Sequence, residues 1–130
     1  MLSPIFLARR QNKFCRFLNR VINGCDINHA VLIPKSTKFE HKGIGVVIGK
    51  GVKLGENVTI YQNTTIGDNF DGNYPKIEKN VVIGANCVIV GNISVGMNSI
   101  IGANSFINKD VPANCLAYNK KQLIQRKTNT

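Results

Sequence analysis

One histidine of this chain stands where it could act as a general base. His41 is preceded by Glu40, and Asp26 lies fifteen residues before it. A neutral imidazole can remove a proton from a hydroxyl group, and a carboxylate that accepts its Nδ1–H fixes the tautomer that leaves Nε2 free. Taken alone, the pattern favours an ordinary histidine in a surface loop. The other histidine, His29, lies in a turn-like stretch and is expected to be structural.

The elements that would position these residues are indicated by an aliphatic or aromatic side chain that returns at every sixth position. A period of six fits neither a helix nor a single alternating strand, but it fits a short strand plus a turn, repeated and stacked into a solenoid. Each coil of a solenoid packs only on its neighbours, which suits one domain of this length. The thirteen positions are Ile27, Ile33, Phe39, Ile48, Leu54, Ile60, Ile66, Ile77, Ile83, Ile89, Val95, Ile101 and Ile107.

The period is interrupted twice. The step from Phe39 to Ile48 is nine residues, and the step from Ile66 to Ile77 is eleven. The first interruption contains His41, and the second contains the polar loop 68–75. Departures from the period of a repeat protein are where a binding face is usually built. We therefore expect the functional residues at these two places.

The net charge of +10 belongs to the two ends of the chain. Residues 1–24 contain five cations and no acid, and residues 120–130 contain four cations and no acid. The part between them has eight lysines against seven acids, so it is nearly neutral. A nucleic-acid-binding core would carry a basic face interleaved with aromatic side chains. The charge distribution therefore argues against a nucleic-acid partner.

Residues 1–24 are predicted to form a basic amphipathic helix. Ser3 and Pro4 suit the N-cap and first helical position, and Gly24 suits the C-cap. The apolar run 5–8 is too short for a signal peptide or a membrane span. Two placements stay open, against the solenoid or on an anionic membrane surface. The apolar positions on one helical face are Leu7, Phe14, Phe17, Leu18, Val21 and Ile22.

The cysteines indicate neither a metal site nor a disulfide framework. The four cysteines form no C-x-x-C pair, and two histidines give a zinc site little to build from. Cys87 falls on the small-residue position of the repeat, which indicates a packing role. No metal is expected, and a reducing, cytoplasmic location is the simpler interpretation. The basic helix adds a peripheral position at the inner membrane face as a variant.

Several segments together resemble the hexapeptide-repeat acyltransferases, in particular serine acetyltransferases and related polysaccharide O-acetyltransferases. The similarity covers about residues 25–115, which are taken as the catalytic domain, with 1–24 as the helix and 116–130 as a basic tail. It implies an all-β fold, a left-handed parallel β-helix, that forms a homotrimer with active sites between subunits. The segments are 25–28, 39–49, 74–77, 81–85, 89–93, 101–105 and 109–112.

The resemblance also implies a role for each candidate residue. His41 would be the catalytic base, Asp26 its orienting partner, and Glu40 and Tyr74 would face the acceptor. Acetyl-CoA would be the co-substrate, and its acetyl group would pass directly to a hydroxyl without a covalent acyl-enzyme. For the alanines, the preference of the repeat turn for a small residue is an alternative explanation. The residues expected along acetyl-CoA are Gly67, Ala85, Ala103, Asn108 and Lys109.

Departures from the family pattern bear on the acceptor. Serine acetyltransferases place an Arg-His pair where this chain has Asn73-Tyr74, so the charge partner of a serine carboxylate is missing. A sugar hydroxyl in polysaccharide biosynthesis is therefore the favoured acceptor, with serine as the alternative. The C-terminal segment also departs, and Lys120 or Lys121 could replace its usual basic residue. A non-catalytic scaffold is the competing class, whereas a zinc-dependent carbonic anhydrase relative would need three histidines.

Overall fold

The computed structural model describes residues 2–119 and 124–126. Between residues 26 and 117, very short parallel strands alternate with turns. The strands are β1 (Asp26–Ile27), β2 (Lys38–Phe39), β3 (Val47–Ile48), β4 (Lys53–Leu54), β5 (Thr59–Ile60), β6 (Thr65–Gly67), β7 (Lys76–Ile77), β8 (Val82–Ile83), β9 (Val88–Val90), β10 (Ser94–Val95), β11 (Ile100–Ile101), β12 (Phe106–Ile107) and β13 (Leu116–Ala117).

The strands stack into three parallel sheets, which are the three faces of a solenoid. Face 1 has the order β1-β3-β6-β9-β12, face 2 has β4-β7-β10, and face 3 has β2-β5-β8-β11-β13. The chain visits face 1, face 2 and face 3 in turn, so β1 to β11 make four turns, and β12 and β13 belong to a fifth. The predicted parallel β-helix of hexapeptide repeats, with a short N-terminal helical segment, is confirmed.

The core is the column of aliphatic side chains that the period of six placed inside. Ile48, Ile66 and Ile83 are at most 1 % exposed, and the residue two positions before each of these is buried as well. Four of those preceding positions along the solenoid are polar. The hydroxyls of Thr64, Ser99 and Ser105 donate to backbone carbonyls, whereas Thr37 Oγ1 is buried without a hydrogen-bond partner among the described residues. Thr64 donates to Gly84 O at 3.0 Å and Ser99 donates to Pro112 O at 2.7 Å. Small polar side chains are therefore tolerated at these turns.

One corner of the solenoid carries a column of asparagines. At the turn from face 2 to face 3, Asn57 donates from Nδ2 to Asn80 Oδ1 at 2.9 Å, Asn80 donates to Asn98 at 3.0 Å, and Asn98 donates to Asn114 at 3.1 Å. All four residues have φ between 56° and 61°. Asparagine adopts this left-handed conformation more readily than most residues. It therefore both makes the turn and links each coil to the next.

Both predicted interruptions lie at corners. The first is a short helical turn, Glu40–Gly43, between face 3 and face 1, and the second is the loop 68–75 between face 1 and face 2. The solenoid also extends beyond residue 115, where the predicted catalytic domain ends. Val111 forms a bridge with Val95 on face 2 after a shortened step, and β13 pairs with β11 on face 3. The predicted tail 116–130 therefore begins inside the solenoid, and its residues 120–123 and 127–130 lie outside the described part.

The N-terminal segment is not the single helix that its pattern predicted. Helix α1 (Pro4–Arg9) and helix α2 (Lys13–Leu18) are separated by a break at which Gln11 has a φ of 51°. The π-helical turn Asn19–Asn23 continues α2 and ends at Gly24, the predicted C-cap, while Ser3 caps α1 as predicted. None of the helices in the described part of the chain combines the length and the hydrophobicity of a membrane span.

Candidate active site

His41 lies in a strained turn at the corner where the chain passes from face 3 to face 1, here called the His41 corner. Its φ and ψ are 51° and 37°, and those of Lys42 are 56° and 24°. Consecutive left-handed residues that are not glycine cost about 1–2 kcal/mol each. The His41 side chain is exposed, and no hydrogen bond from it is found within the described residues. Strain of this kind is commonly kept where a turn must present a functional side chain.

The later coils place small residues and asparagines at the same corner. Asn63, Asn86 and Asn104 turn the chain there with φ between 57° and 61°. Backbone hydrogen bonds stack the coils, since Asn86 N donates to Gln62 O at 3.0 Å and Asn104 N donates to Ala85 O at 2.8 Å. Ala85 and Ala103 therefore follow His41 along one edge of the solenoid. This edge offers a thin ligand close approach to the backbone.

The other residues predicted to line acetyl-CoA lie at a different corner. Gly67 ends β6, and Asn108 and Lys109 follow β12, so all three lie where face 1 turns toward face 2. A cavity of about 270 Å³ there is lined by residues 106–111 and Asn119. The five predicted residues therefore flank the two edges of face 1. Within one chain they do not form a single cluster.

The predicted acceptor residues are divided in the same way. Glu40 begins the turn that holds His41. Tyr74 ends the loop 68–75 at the opposite edge, where its ring lies so close to Gly49 and Gly51 that a Cβ atom at either would overlap it. A larger cavity of about 400 Å³ lies on face 2, where Lys53 and Lys76 are among the residues that line it. It lies neither at the His41 corner nor at the corner where face 1 turns toward face 2.

Asp26 is held by a residue from the N-terminal segment. Arg16 donates from Nε to Asp26 Oδ1 at 2.8 Å and from Nη2 to Oδ2 at 3.3 Å. The hydrogen bond from Arg16 lowers the pKa of Asp26, and the positive charges of Arg16 and Arg20 lower it further. The hydrogen bonds between described residues include none from His41 to Asp26. The orienting role of Asp26 therefore stays a prediction, and Arg16 is a partner that the sequence did not indicate.

The depressed pKa of Asp26 gives the Arg16–Asp26 pair a defined pH dependence. A carboxyl whose pKa is lower in the folded state stabilises the fold above its ordinary pKa of about 3.9, and this contribution is lost as the pH falls through the folded pKa. We expect Asp26→Asn to be less stable than the wild type at pH 7, by about 1 kcal/mol or less because the pair is partly exposed. The difference should narrow below about pH 4, and urea unfolding at several pH values measures it.

Asp68→Asn provides the matched control for this measurement. Asp68 is an exposed aspartate in the loop 68–75, so its replacement should change the unfolding free energy little at any pH. A difference between the wild type and Asp26→Asn that stays constant from neutral to acidic pH would contradict the role given to the Arg16–Asp26 pair.

The buried cysteines are unsuited to nucleophilic chemistry. Cys25 and Cys87 are at most 2 % exposed. Burial, aided by the nearby charge of Asp26, raises the pKa of the Cys25 thiol to about 12, and burial also raises the pKa of the Cys87 thiol. A thiol attacks as the thiolate, so neither side chain supports a covalent acyl-enzyme. The packing position of Cys87 agrees with its place in the repeat.

Sequence reasoning missed one further residue near His41. Gln62 lies at the His41 corner one coil later, and its side-chain Oε1 is buried without a hydrogen-bond partner among the described residues. A buried acceptor without a partner is uncommon and requires an explanation such as a ligand or water. The position of Gln62 beside this corner can be deduced only from the register of the coils. Lys120 and Lys121, the predicted basic substitutes, lie outside the described residues.

The sequence matches two family models of the repeat. Residues 74–109 match the model described as bacterial transferase hexapeptide (six repeats). Residues 43–62 match the model described as hexapeptide repeat of succinyl-transferase. Both matches lie within the solenoid, and neither includes His41.

Several curated proteins are similar to the chain. A serine acetyltransferase of Helicobacter pylori (strain ATCC 700392 / 26695) is 35 % identical over 119 residues, which are 89 % of this chain and 67 % of that protein. A serine acetyltransferase of Synechococcus elongatus is 36 % identical over 101 residues, 75 % of this chain but only 41 % of that protein. A galactoside O-acetyltransferase of Lactococcus lactis is 38 % identical over 53 residues, 41 % of this chain and 26 % of that protein. The chain thus spans less than half the length of the last two relatives.

The solved structures that resemble this chain include serine acetyltransferases as well. Serine acetyltransferase isoform 3 of Entamoeba histolytica, in complex with cysteine, superposes with a TM-score of 0.85 at 27 % identity, and the match covers 98 % of this chain and 51 % of that one. A serine acetyltransferase of Brucella abortus in complex with coenzyme A gives 0.76 at 30 % identity, covering 87 % and 48 %. With its coils, its corners and these similarities taken together, the chain belongs to the serine acetyltransferase family of hexapeptide-repeat acyltransferases.

Proposed function

We propose that the chain is an acetyl-CoA-dependent O-acetyltransferase whose acceptor is the hydroxyl group of serine. The observation that carries the proposal is the exposed His41 in a strained left-handed turn, on the same edge of the solenoid as Ala85 and Ala103. The similarity to serine acetyltransferases, one of them solved with coenzyme A, supports both the donor and the acceptor.

In the proposed reaction His41 acts as a general base and then as a general acid. Its neutral imidazole accepts the hydroxyl proton of the acceptor while the hydroxyl oxygen forms a bond to the thioester carbonyl carbon. The tetrahedral intermediate collapses when the carbon–sulfur bond breaks, and the imidazolium returns the proton to the leaving thiolate. Atoms and charge balance without a covalent enzyme intermediate, which agrees with the buried, protonated cysteines.

The edge of the solenoid that carries His41 contributes to catalysis mainly by positioning the donor and the acceptor. Ala85 and Ala103 have no side chain beyond Cβ, so an extended pantetheine arm can lie along the backbone there. Holding donor and acceptor together in the reactive geometry can supply about 7–11 kcal/mol of the barrier reduction. His41 then needs only to be within hydrogen-bond reach of the acceptor oxygen.

Serine replaces the sugar that the sequence analysis favoured as acceptor. The relatives that cover most of this chain are serine acetyltransferases, whereas the galactoside O-acetyltransferase aligns over only 41 % of it. The argument for a sugar rested on the absence of an arginine at Asn73-Tyr74. Lys42, next to His41 and exposed, offers another positive charge to a serine carboxylate.

A homotrimer would bring the two edges of face 1 together, and we include it in the proposal. The strands of faces 1 and 3 carry exposed apolar side chains, with Val47 40 %, Ile100 48 %, Phe106 50 % and Leu116 62 % exposed. In contrast, Lys53 and Lys76 point outward from face 2. Packing faces 1 and 3 against neighbouring subunits would set the His41 corner of one chain beside the Gly67 and Lys109 edge of the next.

The proposal is tested by coenzyme A release from acetyl-CoA with the purified full chain. L-serine, D-serine, L-alanine and a galactoside serve as separate acceptors, and L-alanine controls for hydrolysis because it lacks the hydroxyl. Turnover with L-serine alone supports the proposal. Turnover with the galactoside alone would overturn the acceptor and keep the chemistry. No turnover together with no binding of acetyl-CoA by calorimetry would overturn the enzymatic proposal in favour of a scaffold.

A further inference from the structure

The segment formed by α2 and the π-helical turn has its apolar side chains on the outside. None of the residues of α2 is buried. Phe14 is 68 % exposed, Phe17 is 58 %, Val21 is 65 % and Ile22 is 49 %. Phe14 and Phe17 are three residues apart and Val21 is four further on, so they share one helical face. These four residues are called the outer patch below.

Polar side chains, not apolar ones, fix this segment to the rest of the chain. Asn19 is fully buried and donates from Nδ2 to Pro4 O at 3.1 Å. Asn23 is 8 % exposed and donates to Leu2 O and to Asn19 Oδ1. Arg16 makes the ion pair with Asp26. Since a soluble helix normally turns its apolar face to the core, this inverted arrangement leaves the outer patch in need of an apolar partner.

The N-terminal segment that carries the outer patch is cationic. Residues 1–24 contain five cations and no acid. Arg16 is paired with Asp26, and Arg20 also lies near that carboxylate. Lys13 and Arg20 adjoin Phe14 and Val21 in the sequence and are exposed, as are Arg9 and Arg10 at the end of α1. Arg10 lies over the ring of Phe6, which is itself 40 % exposed, at 5.1 Å. The partner must therefore be apolar at its centre and negatively charged around it.

We propose that the outer patch binds the surface of an anionic lipid bilayer. The phenylalanines insert into the acyl region, and the negatively charged headgroups attract Lys13, Arg20 and the arginines of α1. A second copy of this chain fits less well, because pairing two outer patches would bring together two segments with five cations and no acid each. The segment would lie in the plane of the membrane interface.

Flotation of the full chain with vesicles tests this proposal, which is independent of the proposed enzymatic function. Vesicles of phosphatidylcholine are compared with vesicles of phosphatidylcholine and phosphatidylglycerol. We expect binding to the anionic vesicles to be at least about tenfold stronger, and to weaken at high salt because exposed charges are screened. The double variant Phe14→Ser/Phe17→Ser should lose this binding but keep the melting temperature, because both side chains are already exposed.

Phe70→Ser provides the matched control. Phe70 is a fully exposed phenylalanine in the loop 68–75, remote in sequence from the outer patch, and its replacement should leave vesicle binding unchanged. Equal binding by the wild type and the double variant would overturn the proposal, as would the absence of binding to anionic vesicles. A double variant that changes the sedimentation coefficient, with no vesicle binding by the wild type, would assign the outer patch to a protein contact instead.

Discussion

Replacing His41 with asparagine is expected to lower coenzyme A release about 10²–10⁴-fold, the range for losing a general base. Asparagine tolerates the left-handed conformation of this turn, as Asn63, Asn86 and Asn104 do at the same corner. The fold should therefore be kept, and the loss should fall on the turnover number. His41→Ala should show the same loss with a small additional decrease in stability. Coenzyme A release and thermal unfolding measure the two effects separately.

His29→Asn is the control for this result. His29 is the other histidine of the chain, and it lies at the turn after β1 in the first coil, on the edge of face 1 opposite to His41 in the same chain. We expect it to keep the turnover of the wild type. Full activity of both His41 variants would remove His41 from the mechanism while leaving the fold assignment intact.

Gly84→Ala is expected to lower the free energy of unfolding by about 1–3 kcal/mol. A Cβ atom at this position would lie 2.7 Å from Ala103 N and 2.9 Å from Ile101 O. Both atoms belong to the backbone of the next coil, so the overlap can be relieved only by moving one coil relative to the other. Because coils at the centre of the solenoid are held on both sides, the damage should spread beyond the substituted turn. Urea unfolding gives the size of the effect.

Gly67→Ala is the matched substitution. A Cβ atom at Gly67 would have no neighbour within 4 Å, and its φ lies outside the left-handed region. Its unfolding free energy should therefore equal that of the wild type within a few tenths of a kcal/mol. If acetyl-CoA lies along this backbone, the same variant should raise the KM for acetyl-CoA. Equal destabilisation by the two alanines would contradict the steric explanation.

The coils could be predicted because each one repeats the same local requirement. An aliphatic residue at every sixth position has only one way to be buried in each turn, and the two irregular steps, at 39–48 and 66–77, had to leave the solenoid. The end of the repeat was harder to predict. The step from Ile107 to Val111 is shorter than six residues, so the bridge of Val111 and strand β13 fall outside the regular pattern.

The N-terminal segment shows where sequence patterns fail. The periodicity of Phe14, Phe17 and Val21 indicates a helix, and these residues are helical in the structure. A periodic apolar face does not, however, reveal what covers it. The inversion depends on Asn19 and Asn23, which hydrogen-bond to the backbone of a preceding turn that is close only in the folded chain. Similarly, the pairing of Arg16 with Asp26 follows from where the segment docks.

The candidate site was only partly predictable for a related reason. The sequence indicated which residues depart from the repeat, and the family resemblance suggested their roles. It did not show that Ala85 and Ala103 share an edge with His41 while Gly67 and Lys109 occupy the other edge of face 1. To assign each turn to a corner of the solenoid, one must know which strands are paired. The pairing of Thr65 with Val88 is one example.

The column of asparagines has a consequence for how proteins of this kind change length in evolution. The amides of Asn57, Asn80 and Asn98 each donate to the next coil in the same direction, so the coils that carry the column present the same kind of side chain to their neighbours. Ile83 and Ile101, at equivalent positions in successive coils, are eighteen residues apart. Duplication or loss of one such unit would keep all three faces in register, whereas a shorter insertion must bulge out at a corner. Insertions and deletions should therefore be tolerated when they add or remove a whole turn or when they fall in a corner loop.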